Sequence, residues 1–509
     1  MLRRHIHFPP KCSKSGRQTK DKGAVAEDTR LNRSLITALI VASSLIMENL
    51  DGTVIATSLP LIAADLGTSP LSLKLAMTSY MLALAIFIPA SGWVADRFGA
   101  RNVFRAALVV FIFGSILSGL SQSLEQLVAA RIIQGIGGSM MTPVGRLIVL
   151  RSVPREQMIE AFTWLTFPAM IGPMLGPPLG GFITTYSSWR LIFFINVPIA
   201  ILGVILATRF IPDVREEYPG VFDFKGFLLT ALGFTGVVFG FSLAGGHFIA
   251  AGPNIALILA GLFFLWLYVR HARTHPNPLL DLTLFRLDTF RRAIIGGTIF
   301  RLCMGAVPFL LPLMLQLGFG LSPFHSGMLT FVSSFGALFM KAASAWVLRT
   351  FGFRTTVLVN GFICAGTFAV NALFTPATPH AILLVIFGVG GFFRSLQFTA
   401  LNGLVFADVE MSRMSKATGI NATGLQIAGS GGIALGATIV ELTQLSRGET
   451  GLNADVFGPT FLFLGVLMLF SLLIFWRLPP EAGEGLAGPA RQRGVPKAAP
   501  QPAPEPSAA

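Results

Sequence analysis

The sequence predicts an all-helical integral membrane fold of about fourteen spans, arranged as two pseudo-symmetric six-helix bundles with two central helices inserted between them. Three observations predict it. Hydrophobic residues fill 53% of the 509 positions and charged residues only 12%, against roughly 25% charged in soluble chains. Apolar runs of spanning length, about 20 residues each, follow one another along most of the chain. Short stretches also recur at one fixed offset.

Six runs lie at 35–58, 72–92, 104–121, 125–149, 159–183 and 190–210. Two follow at 225–245 and 254–270, and six more at 291–317, 326–348, 355–374, 380–405, 419–444 and 457–477. The expected organisation is a basic tail over 1–33, a first bundle over 34–211 and an inserted pair with its linkers over 212–289. A second bundle over 290–478 and a Pro/Ala-rich tail over 479–509 complete it. Both tails are expected to be disordered and cytoplasmic. The first tail lacks an apolar core, so it does not read as a cleavable signal peptide.

The net charge of +14 does not point to nucleic acid, because of where the charges sit. Nine Lys/Arg lie in residues 1–33, and most others fall in short segments between runs. With the N-terminus inside, Arg97/Arg101/Arg105, Arg151/Arg155, Arg209/Arg215, Arg270/Arg273/Arg286, Arg349/Arg354 and Arg413/Lys416 all become cytoplasmic. That is the positive-inside pattern. The three cysteines, Cys12, Cys303 and Cys364, have neither metal-type nor disulfide-type spacing. No GxxxxGK[ST] loop appears, so ATP drive is not expected. No catalytic constellation, metal site or cofactor site is expected either.

The repeat is specific. SGWVADRFGAR at 91–101 and SAWVLRTFGFR at 344–354 share six of eleven positions at an offset of 253 residues. The same offset relates Gly67-Thr-Ser-Pro70 to Gly320-Leu-Ser-Pro323, and Gly135-Ile-Gly-Gly138 to Gly388-Val-Gly-Gly391. Two abutting six-span halves would be offset by about 180–200 residues. The excess matches two further spans, the pair between 225 and 270.

Several stretches then resemble the major facilitator superfamily, and within it the fourteen-span drug:proton antiporters of the EmrB/QacA type. MENLDGTVIATSLP (47–60) is similar to that group's Leu-Asp-x-Thr signature. GWVADRFGAR (92–101) resembles the superfamily's loop motif, ARIIQGIGGS (130–139) its span-4 motif and GPMLGPPLGG (172–181) its antiporter motif. SSWRLIFFINVP (187–198) and NPLLDLTLFR (277–286) also look like this branch. The resemblance covers essentially all of 34–477. It implies alternating access between the two bundles, a bacterial inner-membrane location and small-molecule export against a proton flux. It leaves room for a periplasmic adaptor protein, which has no signature here. One departure is Thr57, where many relatives have Asn.

Glu48 and Asp51 are the acids expected to carry proton coupling. They lie three residues apart on one helix face, and charges inside a membrane are costly and tend to mark ion paths. Asp51 matches the family signature. Arg131 is its expected partner. Asp51 lies about 25 Å along span 1 and Arg131 about 10 Å down span 4 from the opposite face, depths that nearly coincide across ~30 Å of hydrocarbon. The alternative is a purely structural tie.

Arg301 stands at the repeat position of Glu48, and with Arg394 it is expected to line the substrate cavity; local pairing within a helix contact is the alternative. Gly92, Asp96, Arg97, Gly99 and Arg101 are expected to form a conformational latch, the two glycines permitting tight turns. Gly172, Gly176 and Gly180, beside Pro173, Pro177 and Gly181, recur at a spacing that allows close helix approach. In the related antiporters this face seals the bundle interface. Around Gln426 and Ser430 the second half is expected to lack that pattern.

The expected function is therefore proton-coupled efflux of small amphiphilic or toxic compounds, with the substrate, protons and the lipid bilayer as partners. The electrical part of the gradient supplies about 2.3 kcal/mol per charge per 100 mV. An uncoupled facilitator or importer of a metabolite is the nearest rival. A receptor or an enzyme on a transporter scaffold is the remote one.

Overall fold

The computed structural model describes residues 15–154, 157–213, 215, 220–244, 251–449 and 451–487. Among these residues every regular element is helical. Every apolar run becomes a helix. The first six long helices are α1 (Leu35–Asp65), α2 (Pro70–Phe98), α3 (Ala100–Leu120), α4 (Leu124–Ser152), α5 (Met158–Tyr186) and α6 (Leu191–Phe210). The next two are α7 (Phe224–Leu243) and α8 (Ala251–Thr274). The last six are α9 (Asp288–Gly318), α10 (Pro323–Phe351), α11 (Phe353–Leu373), α12 (His380–Phe406), α13 (Met411–Arg447) and α14 (Ala454–Trp476).

Twelve of these are long and apolar enough to cross a membrane. The other two, α4 and α5, have 29 residues each, a length of roughly 43 Å. Helix α4 carries Arg131, Arg146 and Arg151, and α5 contains four prolines.

The helix of α1 continues back to Ser15, so much of the first expected tail is helical rather than disordered. Segments rich in Arg, Lys and Ala have good helix propensity, and extending an existing helix avoids the cost of nucleation. Residues 1–14 and 488–509, the rest of the expected tails, and the loop residue Arg155 lie outside the described residues.

The chain divides into two compact units, Met1–Phe227 and Leu228–Ala509. The division falls inside α7, so the inserted pair groups mainly with the second unit. Within the first unit α1 packs on α5, α2 on α4, α3 on α4 and α6, and α1 on α6. Within the second, α9 packs on α13, α10 on α12, α11 on α12 and α14, and α9 on α14. The same five pairings thus occur eight helices apart.

The repeated sequence motifs have local physical causes. Gly67 (φ 63°) and Gly320 (φ 70°) occupy equivalent left-handed positions, as do Gly99 (φ 88°) and Gly352 (φ 74°). Side chains are disfavoured there. After the first pair, Ser69 and Ser322 cap the next helix N-termini by accepting from backbone N–H groups, with Pro70 and Pro323 in the first helical turn. Gly99 and Gly352 end the helices that precede the basic loops. Gly92, by contrast, lies inside a helical segment (Ser91–Phe98), and a Cβ there would meet nothing within 4 Å. The turn expected at Gly92 is absent because the positive-φ exit from this helix is supplied by Gly99.

Glycines also set the helix distances. A Cβ on Gly172 would lie 2.8 Å from the Ile46 carbonyl oxygen, and one on Gly180 2.4 Å from that of Val54. This stripe of α5 therefore packs on α1 within the first unit. The second unit has its own version, contrary to expectation: Gly429 meets Gly305, Gly432 the Leu302 carbonyl and Gly436 the Ala306 methyl, all between α13 and α9. Gly429 keeps the 253-residue offset from Gly176, whereas Gly432 and Gly436 fall outside it, because glycine is required where backbones touch. In the inserted pair, Gly236 of α7 faces Gly261 of α8.

Substituting Gly180 by alanine places a methyl against the α1 backbone. The expected cost is about 1–3 kcal/mol, read as a lower Tm of the purified protein in detergent, whereas Gly92→Ala should leave Tm unchanged.

Candidate functional site

The densest polar network is buried in the first unit. Asp51 of α1 and Arg131 of α4 are each 1% exposed. One Asp51 oxygen accepts from Arg131 Nη1 at 2.5 Å. The other accepts from the side-chain amides of Gln134 (2.8 Å) and Asn196 (3.0 Å). Arg131 also donates to the Gln134 carbonyl oxygen at 2.7 Å, and its guanidinium lies 4.1 Å from the Tyr80 ring centroid. Ser115 joins the network by accepting from Gln134 and Asn196 and donating to the Phe193 carbonyl oxygen.

Local sequence explains this convergence. Arg131 and Gln134 are three apart on α4 and so share a face. Gly135 and Gly137 let that helix press against α2 and α3, where a Cβ would lie 2.7 Å from the Tyr80 carbonyl and 2.5 Å from the Phe111 amide. Gln134 and Asn196 lie within the ARIIQGIGGS and SSWRLIFFINVP stretches, but nothing in either side chain itself marks it as part of a charged network. Neutral amides give no charge signal; the face shared with Arg131 was the available clue for Gln134.

Glu48 does not join this network. It is half-buried and accepts from the Thr142 hydroxyl at 2.5 Å, while Arg146, one turn further along α4, adds a nearby positive charge. The two acids on one helix face thus have different settings. Asp51 is sealed, and Glu48 is partly accessible.

In the second unit, Arg301 is 2% exposed and donates to the side-chain carbonyls of Asn421 (2.8 Å) and Asn402 (2.9 Å). It therefore pairs locally, with neutral groups. Arg394 donates to the Ser333 hydroxyl at 2.9 Å. Among the described residues neither arginine has an acid within ion-pair distance.

The loop motif is tied down on one side of the first unit. Arg151 donates to Asp96 at 2.8 Å, joining the ends of α2 and α4. Arg101 donates to the Ile211 carbonyl oxygen at 3.4 Å and lies 3.8 Å from Asp213; Arg97 is exposed. At the other end of this unit Asp65 accepts from Arg190 (2.6 Å) and Trp189 (3.1 Å), residues of the SSWR stretch.

The NPLLDLTLFR stretch forms a corresponding clamp in the second unit. Asp281, 7% exposed, lies 3.0 Å from Arg413 and 3.8 Å from Lys416, and accepts from the Thr283 backbone N–H at 3.1 Å. Burial pushes its carboxyl upward, but the Thr283 hydroxyl, Arg413 and the Thr283 backbone N–H outweigh that and hold it below its ordinary value of 3.8. A carboxyl depressed by folding stabilises above its unfolded pKa and loses that contribution as pH falls through the folded one. The clamp should therefore persist at neutral pH and loosen only in acid, below about pH 4. Asp281→Asn should release it at neutral pH, giving faster tryptic cleavage after Arg413 than in the unaltered protein.

Comparison with known proteins agrees with this architecture. The family model described as Major Facilitator Superfamily matches residues 41–433 and, in a second match, 293–505. MdtD of Citrobacter koseri, provisionally named a multidrug resistance protein, is 35% identical over 460 residues, covering 89% of this chain and 97% of the relative. The Pectobacterium atrosepticum protein of the same name is 36% identical over 446 residues, covering 87% and 95%. Among solved structures, a D-xylose-proton symporter is similar with a TM-score of 0.65 at 16% identity, covering 88% of this chain and 98% of that one. A bacterial homologue of the lysosomal transporter Spinster, inward-facing, gives a TM-score of 0.62 at 15% identity, covering 88% and 96%. With matching spans, repeated pairings and relatives aligned nearly end to end, the chain is a multi-pass membrane protein that belongs to the major facilitator superfamily.

Proposed function

We propose that this chain is a proton-coupled exporter of small amphiphilic compounds, of the drug:proton antiporter branch, seated in the bacterial inner membrane with both termini cytoplasmic. The observation that carries the reading is the pair of acids on one face of α1, one sealed and one accessible. Asp51 is enclosed by three donors and serves as the fixed tie between α1, α4 and α6. Glu48, half-buried with a hydroxyl donor, is the group that exchanges its proton with water. Protonation removes a charge from a low-dielectric region and so shifts the balance between the two openings of the path.

Three further observations support the reading. The relatives carry multidrug-resistance names. Alternating basic loops favour cytoplasmic termini. The Asp96–Arg151 bridge and the Asp281 clamp lie at loops assigned to the cytoplasmic side by that same pattern. An adaptor protein remains part of the proposal only through the family resemblance.

The test is efflux from everted or intact vesicles loaded in turn with a cationic, a neutral and an anionic amphiphile, with and without an uncoupler. Uncoupler-sensitive movement of at least one class is expected. Movement of a compound at the same rate with the gradient collapsed would favour the facilitator.

A further inference from the structure

The second unit holds a half-open cavity of about 50 Å³ whose lining includes Arg394, Ser333, Thr367 and Asn371 together with apolar groups such as Phe387 and Phe461. Arg394 lies at the middle of α12, far from either helix end, where a charge is most costly to keep from water. Buried charges are normally paired. Arg131 of the first unit obeys this rule through Asp51. Arg394, half-buried, has no such counter-charge: a guanidinium has five N–H donors, and its hydrogen bond among the described residues goes to one neutral hydroxyl.

A second charge raises the local positive potential. Arg301, on α9, is also matched only by neutral amides, and its Nε is buried without a partner. Met304, one turn beyond Arg301, lines the same cavity. The cavity holds about three to five water-sized probes at about 10–15 Å³ each, enough for one compact anionic group. We infer that the second unit contains a binding site for a single monovalent anion, a halide or a carboxylate, held by the Arg394 guanidinium and the Ser333 hydroxyl, since Thr367 and Asn371 already donate to backbone carbonyls.

The anion has two sources: a resident halide from solution, or the carboxylate of an exported compound. Only the second rests on the export reading. Binding is measured without any gradient, so its failure is separable from a failure of proton coupling.

The purified full chain in detergent is titrated at constant ionic strength with chloride, acetate and benzoate against gluconate, following Tm. Chloride or a small carboxylate should raise Tm where gluconate does not. Arg394→Gln should weaken the apparent affinity about tenfold or more, as for a lost charge-assisted pair. Arg394→Lys should retain part of it. Ser333→Ala, which leaves the charge in place, should weaken binding severalfold and carries the test if Arg394→Gln does not fold. Chloride raising Tm where benzoate does not identifies a resident halide; benzoate binding together with benzoate export identifies the substrate's carboxylate. Equal Tm in all four salts, or an undiminished shift in Ser333→Ala and Arg394→Gln, overturns the site.

Discussion

Glu48→Gln is expected to abolish gradient-driven efflux while leaving the protein folded. The amide oxygen of glutamine can still accept from Thr142, so the local geometry survives. The lost contribution is a hydrogen bond to a charged group, about 1.5–3 kcal/mol at most and less at a half-buried position. What glutamine cannot do is take up and release a proton. Efflux against a concentration gradient should fall to the level of vesicles lacking the protein, while exchange of labelled for unlabelled compound, which needs no net proton movement, continues. If Glu48→Gln pumps normally, the accessible acid is not the coupling group.

Asp51→Asn is expected to have a larger effect on stability. It leaves Arg131, 1% exposed, without its counter-charge, and breaking a buried pair by removing one member costs about 3–5 kcal/mol. The asparagine amide would also face the Arg131, Gln134 and Asn196 donors. Low yield and a depressed Tm should follow. The double change Asp51→Asn, Arg131→Gln removes both charges and should recover much of the Tm, and with it part of the transport, as expected of a fixed tie. A double variant no more stable than Asp51→Asn alone would contradict that role.

The helices were legible because each is an apolar run bounded by polar or glycine-containing turns, and lipid permits few other structures to span it. The pairing of Arg131 with Asp51 was legible from depth alone, since a buried guanidinium near a carboxylate at the same level has few other choices. Asn196 was not, because nothing in a neutral amide marks it as buried against a charge until α6 is placed beside α1. Glycines proved the least transferable signal. Gly92 is an ordinary helical residue, whereas Gly429, Gly432 and Gly436 form a seam whose register depends on which face of α13 meets α9. The small cavity beside Arg394 was invisible for the same reason: Ser333, Thr367 and Asn371 come from helices whose rotation no periodicity fixes.

The most direct measurement is proton movement itself. Purified protein is reconstituted into liposomes carrying an internal pH indicator, and an amphiphile found to be transported is added at equal pH on both sides. Opposed movement of compound and proton, lost in Glu48→Gln, is predicted. Passage of the compound with no change in internal pH would mean that the intramembrane carboxylates do not exchange protons for cargo.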